Sequence, residues 1–313
     1  MHFTLKQLAY VEAAGRLGSI AKAATELSIS QSSITAAINA LEIALDYDLF
    51  VRTPAKGIQT TPAGADALSL IRAFIQQARH FEADLQSVGG DTSGHVRIAC
   101  YATAAPAFLP PILQNITENF PGISVKVMEG NLALIIEFLD DGKADLVFTY
   151  SDGLQGTHDF LPLFQAPPYA LIGLDDPLAH KASVSFAELA ERPMVLLDLP
   201  RTRDYFVALF EQRGLRPQIA HTTRSAEIAR ALVAGGFGFS ILNIRPPDYS
   251  EMKVGYRAVP IRGVQQGQSF GIATLSNTRQ PKIVQALIDS CVALQKQGAF
   301  DGLTVWEESA PKP

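Results

Sequence analysis

This chain has little of what most catalytic or exported proteins display. Two cysteines, Cys100 and Cys291, in 313 residues are too few for a disulfide scaffold. Both read as small buried hydrophobes rather than a redox pair. No run of about 18 apolar residues is present, which excludes a helical membrane span. The start, MHFTLKQLAYVEAAGRLG, has no basic head, apolar stretch or cleavage site, so a signal peptide is not expected. His158, His180 and His221 stand alone in the sequence, with no spacing that suits a metal. Nucleophile-elbow, phosphate-loop and dinucleotide-binding patterns are all missing. These features suit a cytoplasmic protein, and no catalytic site, cofactor or metal is expected.

A basic excess is lacking too. The net charge is −5, which superficially argues against nucleic acid. By region, residues 1–62 carry five cations against five anions and are neutral. A neutral segment binds DNA weakly without sequence preference, so specific binding would depend on dimerisation. What is abundant is apolar material, 47% against 18% charged. At this length it suffices for two or three cored domains.

The stretch from Ala23 to Phe50 carries the sharpest pattern. Ala23, Ala24 and Leu27 lie at helical spacing. Ser28-Ile29-Ser30 interrupts them, and Ser30 is a good N-cap. Ile34, Ile38, Leu41 and Leu45 then recur on one face of a second helix. Its opposite, N-terminal face shows Gln31, Ser32, Ser33, Thr35 and Asn39. These are short, uncharged hydrogen-bonding side chains that suit base edges in a major groove. Spacing alone equally allows an ordinary helical hairpin with a polar surface.

The flanks add Leu41-Glu42, Leu49-Phe50, Arg52 and Thr61-Pro62-Ala63-Gly64. Together with Ala23-Ala24, Leu27-Ser28 and Ser30-Gln31, these residues resemble, in order, the N-terminal pattern of the LysR-type transcriptional regulators. Two positions depart from it: Ser32 stands where the family usually has proline, and Ala36 where it usually has a basic residue. The resemblance extends over almost the whole chain. It implies an α/β protein: an N-terminal winged helix-turn-helix with a long linker helix, then a two-lobed, periplasmic-binding-protein-like α/β effector domain. It also implies a homodimer or homotetramer on double-stranded DNA, with RNA polymerase a candidate further partner. The other reading is a cytoplasmic small-molecule binding protein or α/β enzyme with no DNA-binding role.

The expected boundaries are 1–62 for the DNA-binding domain, 63–93 for a dimerisation helix and hinge, and 94–303 for the effector domain. Within the last, lobe I takes about 94–164 and 268–303, and lobe II about 165–267. Residues 304–313 read as a loose tail. In the wing, Leu49 to Thr61, the side chains of Arg52, Thr53 and Lys56 could reach phosphates. Pro62 suits the first turn of a long helix. Ile71, Ala78 and Leu85, Phe74, Phe81 and Val88, and Leu68 with Ile75 give that helix a wide apolar stripe that wants a partner. The resemblance implies an antiparallel partner helix.

Beyond Gly94 short apolar strands alternate with helices, which predicts parallel sheets. The strands begin at His95–Cys100, and one helix is expected at Tyr205–Gln212. Gly235-Gly236-Phe237-Gly238 suits a tight helix-to-strand turn. In such a clamshell a ligand sits between lobes, at strand C-termini and helix N-termini. The effector-contacting candidates are therefore Thr103, Asn131 and Tyr150 from lobe I, and Arg201, Thr202 and Arg203 from lobe II. Two helix N-termini and a guanidinium suit a small organic anion, or a polar molecule with one carboxylate.

Overall fold

The computed structural model describes residues 3–53, 57–86, 93–246, 255–264, 266–276, 278 and 280–307. The chain forms two compact units, residues 1–89 with 278–281 and residues 90–277 with 282–313.

The first unit begins with α1 (Leu5–Leu17), α2 (Ile20–Glu26) and α3 (Gln31–Leu45). Each start is capped by a hydroxyl: Thr4, Ser19 and Ser30 accept from backbone N–H groups in the first turn, satisfying donors the helix cannot. Ser28, at φ 55°, makes the tight bend between α2 and α3. Ile34, Ala37, Ile38 and Leu41 face inward against Val11, Ala14 and Ala23. The wing is β1 (Phe50–Thr53) paired antiparallel with β2 (Gly57–Thr60).

The motif residues of this unit have structural reasons. Glu42 Oε1 accepts from the backbone N–H of Leu49 at 2.8 Å and of Phe50 at 3.1 Å, which fixes the entry to the wing. Thr61 Oγ1 accepts from Gly64 N at 2.8 Å and donates to Asp48 O at 2.8 Å. A Cβ on Gly64 would lie 2.1 Å from the Leu49 carbonyl. Only glycine lets the next helix, α4 (Pro62–Gln86), start against the wing.

The apolar stripe of α4 is two surfaces. Ala67, Leu68, Ile71 and Ile75 are buried in the unit's own core. Leu70, Phe74, Phe81 and Leu85 are exposed, Leu70 to 74% and Phe81 to 64%. In the sequence they form one stripe because 3.6 residues per turn spreads adjacent faces over neighbouring heptad positions. Val88 lies outside the described residues.

In the second unit, lobe I is a five-stranded sheet. Its strands are β3 (Gly94–Tyr101), β4 (Ile123–Gly130), β5 (Leu146–Tyr150), β6 (His158–Ala166) and β12 (Gln268–Leu275), in the order β4-β3-β5-β12-β6. Helices α5 (Ala105–Asn119), α6 (Leu132–Asp140) and α10 (Lys282–Lys296) cover it. Lobe II holds β7 (Tyr169–Gly173), β8 (Pro193–Leu197), β9 (Gln218–Thr223), β10 (Ser240–Leu242) and β11 (Tyr256–Pro260). Its helices are α7 (Phe186–Ala190), α8 (Thr202–Glu211) and α9 (Ala226–Ala234).

Three expectations are corrected. The sheets are only partly parallel: β3 runs parallel to β4 and β5, and β8 to β9, but β12 runs antiparallel to both β5 and β6, and β7 antiparallel to β10 and β11. These strands arrive from distant sequence, and alternation with helices cannot report their direction. Helix α8 starts at Thr202, three residues before the expected Tyr205, because Arg201 at φ 65° makes the turn into it. Residues 304–307 are also not loose. Val305 is buried in the lobe II core, and Ser183 Oγ donates to Glu307 Oε1 at 2.9 Å. The rest of the expected tail, 308–313, lies outside the described residues, as does most of the hinge. The Gly235–Gly238 run makes the expected turn from α9 to β10.

Candidate nucleic-acid interface and ligand cavity

At the start of α3, Gln31, Ser32 and Ser33 are exposed, Thr35 is half-buried and Asn39 is exposed. Ser30 Oγ bonds the hydroxyls of Ser32 and Ser33, each at 2.8 Å. Two of the candidate readers therefore also organise the helix start. Arg52 is exposed, and its Nη2 donates to Asn39 Oδ1 at 2.8 Å. The wing thus brings its cation to the polar face of α3. Thr53 pairs through its backbone with Gly57; its side chain and Lys56 lie outside the described residues.

A cavity of about 140 Å³ lies between lobes I and II. Four of the six effector candidates line it: Thr103, Tyr150, Arg201 and Thr202. The loop that follows β3 supplies Thr103 and the last residue of β5 is Tyr150; the start of α8 supplies the others. The other two candidates are not in its lining. Asn131 caps α6, its Oδ1 accepting from Ala133 N and Leu134 N at 3.0 Å each. Arg203 Nη1 pairs with Asp198 Oδ1 at 3.1 Å.

The two lobes touch through the lining itself. Tyr101 Oη and Thr202 Oγ1 are 3.0 Å apart in a buried hydrogen bond. Arg201 Nη1 donates to Gly153 O at 3.3 Å. A Cβ on Gly153, at φ +83°, would sit 2.2 Å from that nitrogen, so glycine is needed for the guanidinium to lie over this loop. Arg201 itself is a non-glycine residue at positive φ, a conformation kept where the surrounding structure imposes it.

Burial holds the phenols of Tyr101 and Tyr150 neutral, the latter well above the usual tyrosine range. Thr103 and Thr202 partly offset the shift at Tyr101. Tyr205 is pushed up to about 12, chiefly by burial, with the charge of Asp152 adding to it. The chamber therefore offers neutral O–H groups, one guanidinium and an apolar floor of Leu197, Phe206 and Ile244.

Tyr101, Asp152, Tyr205, Asn243 and Gln268 also line it; Tyr101 and Asn243 stand at strand ends, where a ligand was expected, whereas Asp152, Tyr205 and Gln268 were not sequence candidates. Tyr205 could have been found one helical turn from Thr202 had the start of α8 been placed correctly. Asp152 and Gln268 meet only because β12 runs antiparallel beside β5, which has no local signal. Among the described residues no helix is long and apolar enough to cross a membrane, and no group of three acidic, histidine or cysteine side chains could hold a metal.

Comparison with known proteins gives a consistent result. Residues 5–65 match the family model described as bacterial regulatory helix-turn-helix protein, lysR family. Residues 89–296 match the LysR substrate binding domain. The HTH-type transcriptional regulator TtuA of Agrobacterium vitis is 29% identical over 242 residues, covering 76% of this chain and 79% of that one. The RuBisCO operon transcriptional regulator of Allochromatium vinosum is 28% identical over 245 residues, covering 78% and 80%. The crystal structure of HinK, a LysR family transcriptional regulator from Pseudomonas aeruginosa, superposes with a TM-score of 0.61 at 32% identity, covering 94% of this chain and 98% of that one.

Proposed function

Since this chain belongs to the LysR family and is an effector-responsive, DNA-binding transcription regulator rather than an enzyme, we propose how its own residues divide that work. Gln31 and Thr35 read base edges, with Ser32, Ser33 and Asn39 beside them at the uncharged start of α3. Arg52, Thr53 and Lys56 of the wing anchor phosphates. A helix start crowded with hydroxyls can also donate to a phosphate oxygen.

The exposed face of α4, with Phe74 and Phe81, pairs with the same face of a second copy. An unpartnered stripe of this kind is buried by association. The assembly is a homodimer or homotetramer acting in the cytoplasm, with RNA polymerase as a further contact.

The effector occupies the interlobe cavity and carries a carboxylate. The observation that carries this is Arg201 beside Thr202 at the start of α8, both lining the chamber opposite Thr103 and Tyr150. A guanidinium and a helix N-terminus favour the same sign of charge. Effector binding regulates only if its affinity differs between DNA-competent states.

Calorimetry with a panel of small carboxylates tests the site, repeated on Arg201→Gln and Thr202→Val. Binding should weaken in both. A carboxylate whose affinity ignores both substitutions places the site elsewhere.

A further inference from the structure

The lining of the interlobe cavity carries one formal charge of each sign, on opposite lobes. Arg201 comes from lobe II and Asp152 from lobe I, two residues past β5. Each is held by a neutral partner. Asp152 Oδ2 accepts from Gln268 Nε2 at 2.5 Å, and Arg201 Nη1 donates to the Gly153 carbonyl at 3.3 Å. Neither bond cancels a charge.

A plain carboxylate satisfies only one end of this arrangement. It would place a second anion beside Asp152, an exposed carboxylate of the lining, and like charges at short range repel. A molecule with a cation a few bonds from its carboxylate meets both residues. The aromatic lining favours the same solution. Tyr101, Tyr150 and Tyr205 come from three different elements, and the first two stack edge-on with centroids 6.0 Å apart. Aromatic rings and neutral phenol oxygens accept an ammonium group.

We propose that the effector is a small zwitterion, an aminocarboxylate whose carboxylate meets Arg201 and Thr202 and whose ammonium meets Asp152. The inference rests on the interlobe cavity being the effector site. A chamber of about 140 Å³ limits the molecule to a small skeleton. Asp152 then acts as the residue that separates amino acids from simple organic acids.

The test is calorimetry on the full chain with matched trios: acetate, glycolate and glycine; butanoate, 2-hydroxybutanoate and 2-aminobutanoate; 3-methylbutanoate, 2-hydroxy-3-methylbutanoate and valine. In at least one trio the amino member should bind about tenfold more tightly than both others. Asp152→Asn should abolish that preference, Asp152→Glu should keep it, and Arg201→Gln should weaken every binder. The inference is overturned if no amino member is preferred, if none binds at millimolar concentration, or if the preference survives Asp152→Asn. Plain carboxylates that bind through Arg201 and outdo their amino partners sink the zwitterion alone and leave the site standing. Binders indifferent to Arg201→Gln and Thr202→Val sink the site itself.

Discussion

Arg52 of the wing and Asn39 of α3 are joined by a hydrogen bond of 2.8 Å between Nη2 and Oδ1. The bond spans thirteen residues of sequence and fixes an exposed cation against the polar face of the helix proposed to enter the groove. One residue supplies charge and the other its position.

Arg52→Ala should therefore weaken binding to all DNA sequences evenly, and Asn39→Ala should reproduce part of that loss by releasing the guanidinium. Gln31→Ala should cost about 1–3 kcal/mol for the preferred site only. Fluorescence anisotropy with the preferred site and single-base variants separates the two patterns. An unchanged sequence preference in Gln31→Ala removes α3 from the recognition role.

Phe81→Glu and Phe74→Glu should yield folded monomers, since both side chains are exposed within the described unit. Ile71→Glu should instead unfold the N-terminal unit, because it buries a charge in that unit's own core at a cost of several kcal/mol. Sedimentation velocity together with helix melting by circular dichroism tells these apart. A persisting dimer in the phenylalanine variants would falsify the proposed pairing of α4.

Glu188 closes the capping box of α7 and pairs with Lys181. Hydrogen bonding from Lys181, then from Ser185, lowers its carboxyl from 4.5 to about 2. A folded-state value below the unfolded one contributes stability above about pH 4.5 that is lost as pH falls towards 2. Glu188→Gln keeps the capping geometry and removes the charge. It should cost about 0.5–1 kcal/mol at neutral pH, and its gap to the parent should close below about pH 4.5. Calorimetric melting from pH 7 to 3 measures the gap. A constant difference across that range contradicts the assignment.

Cys100 and Cys291 are both fully buried. Burial, with the charge of Glu129 adding at Cys100, pushes each thiol up to about 12. Native protein at pH 8 should therefore resist iodoacetamide, and both thiols should react once it is unfolded. Mass spectrometry of alkylated peptides reads this directly. Fast native labelling of either would restore a redox role to consideration.

Sequence determined whatever is set within one or two helical turns. The period of Ile34, Ile38 and Leu41, the Ser30 cap and the Pro62 start of α4 each rest on neighbours in the chain, and all are where the pattern puts them. Four cavity residues were also readable, because helix starts and strand ends are local features.

Tertiary structure decided the rest. The return of β12 between β5 and β6 runs opposite to both, and strand direction depends on pairing across more than a hundred residues rather than on local pattern. That pairing sets Gln268 beside Asp152 and so gives the cavity's anion its hydrogen-bond partner. Which half of the α4 stripe stays exposed was fixed by the small core of α1 to α3, which claims Leu68, Ile71 and Ile75 for itself. Arg203 has the same chemistry as Arg201, and Asn131 can hydrogen-bond as Thr103 can, but packing committed one to Asp198 and the other to the cap of α6. A side chain's type is written in the sequence; the partner that consumes its hydrogen bonds is chosen only when distant segments meet.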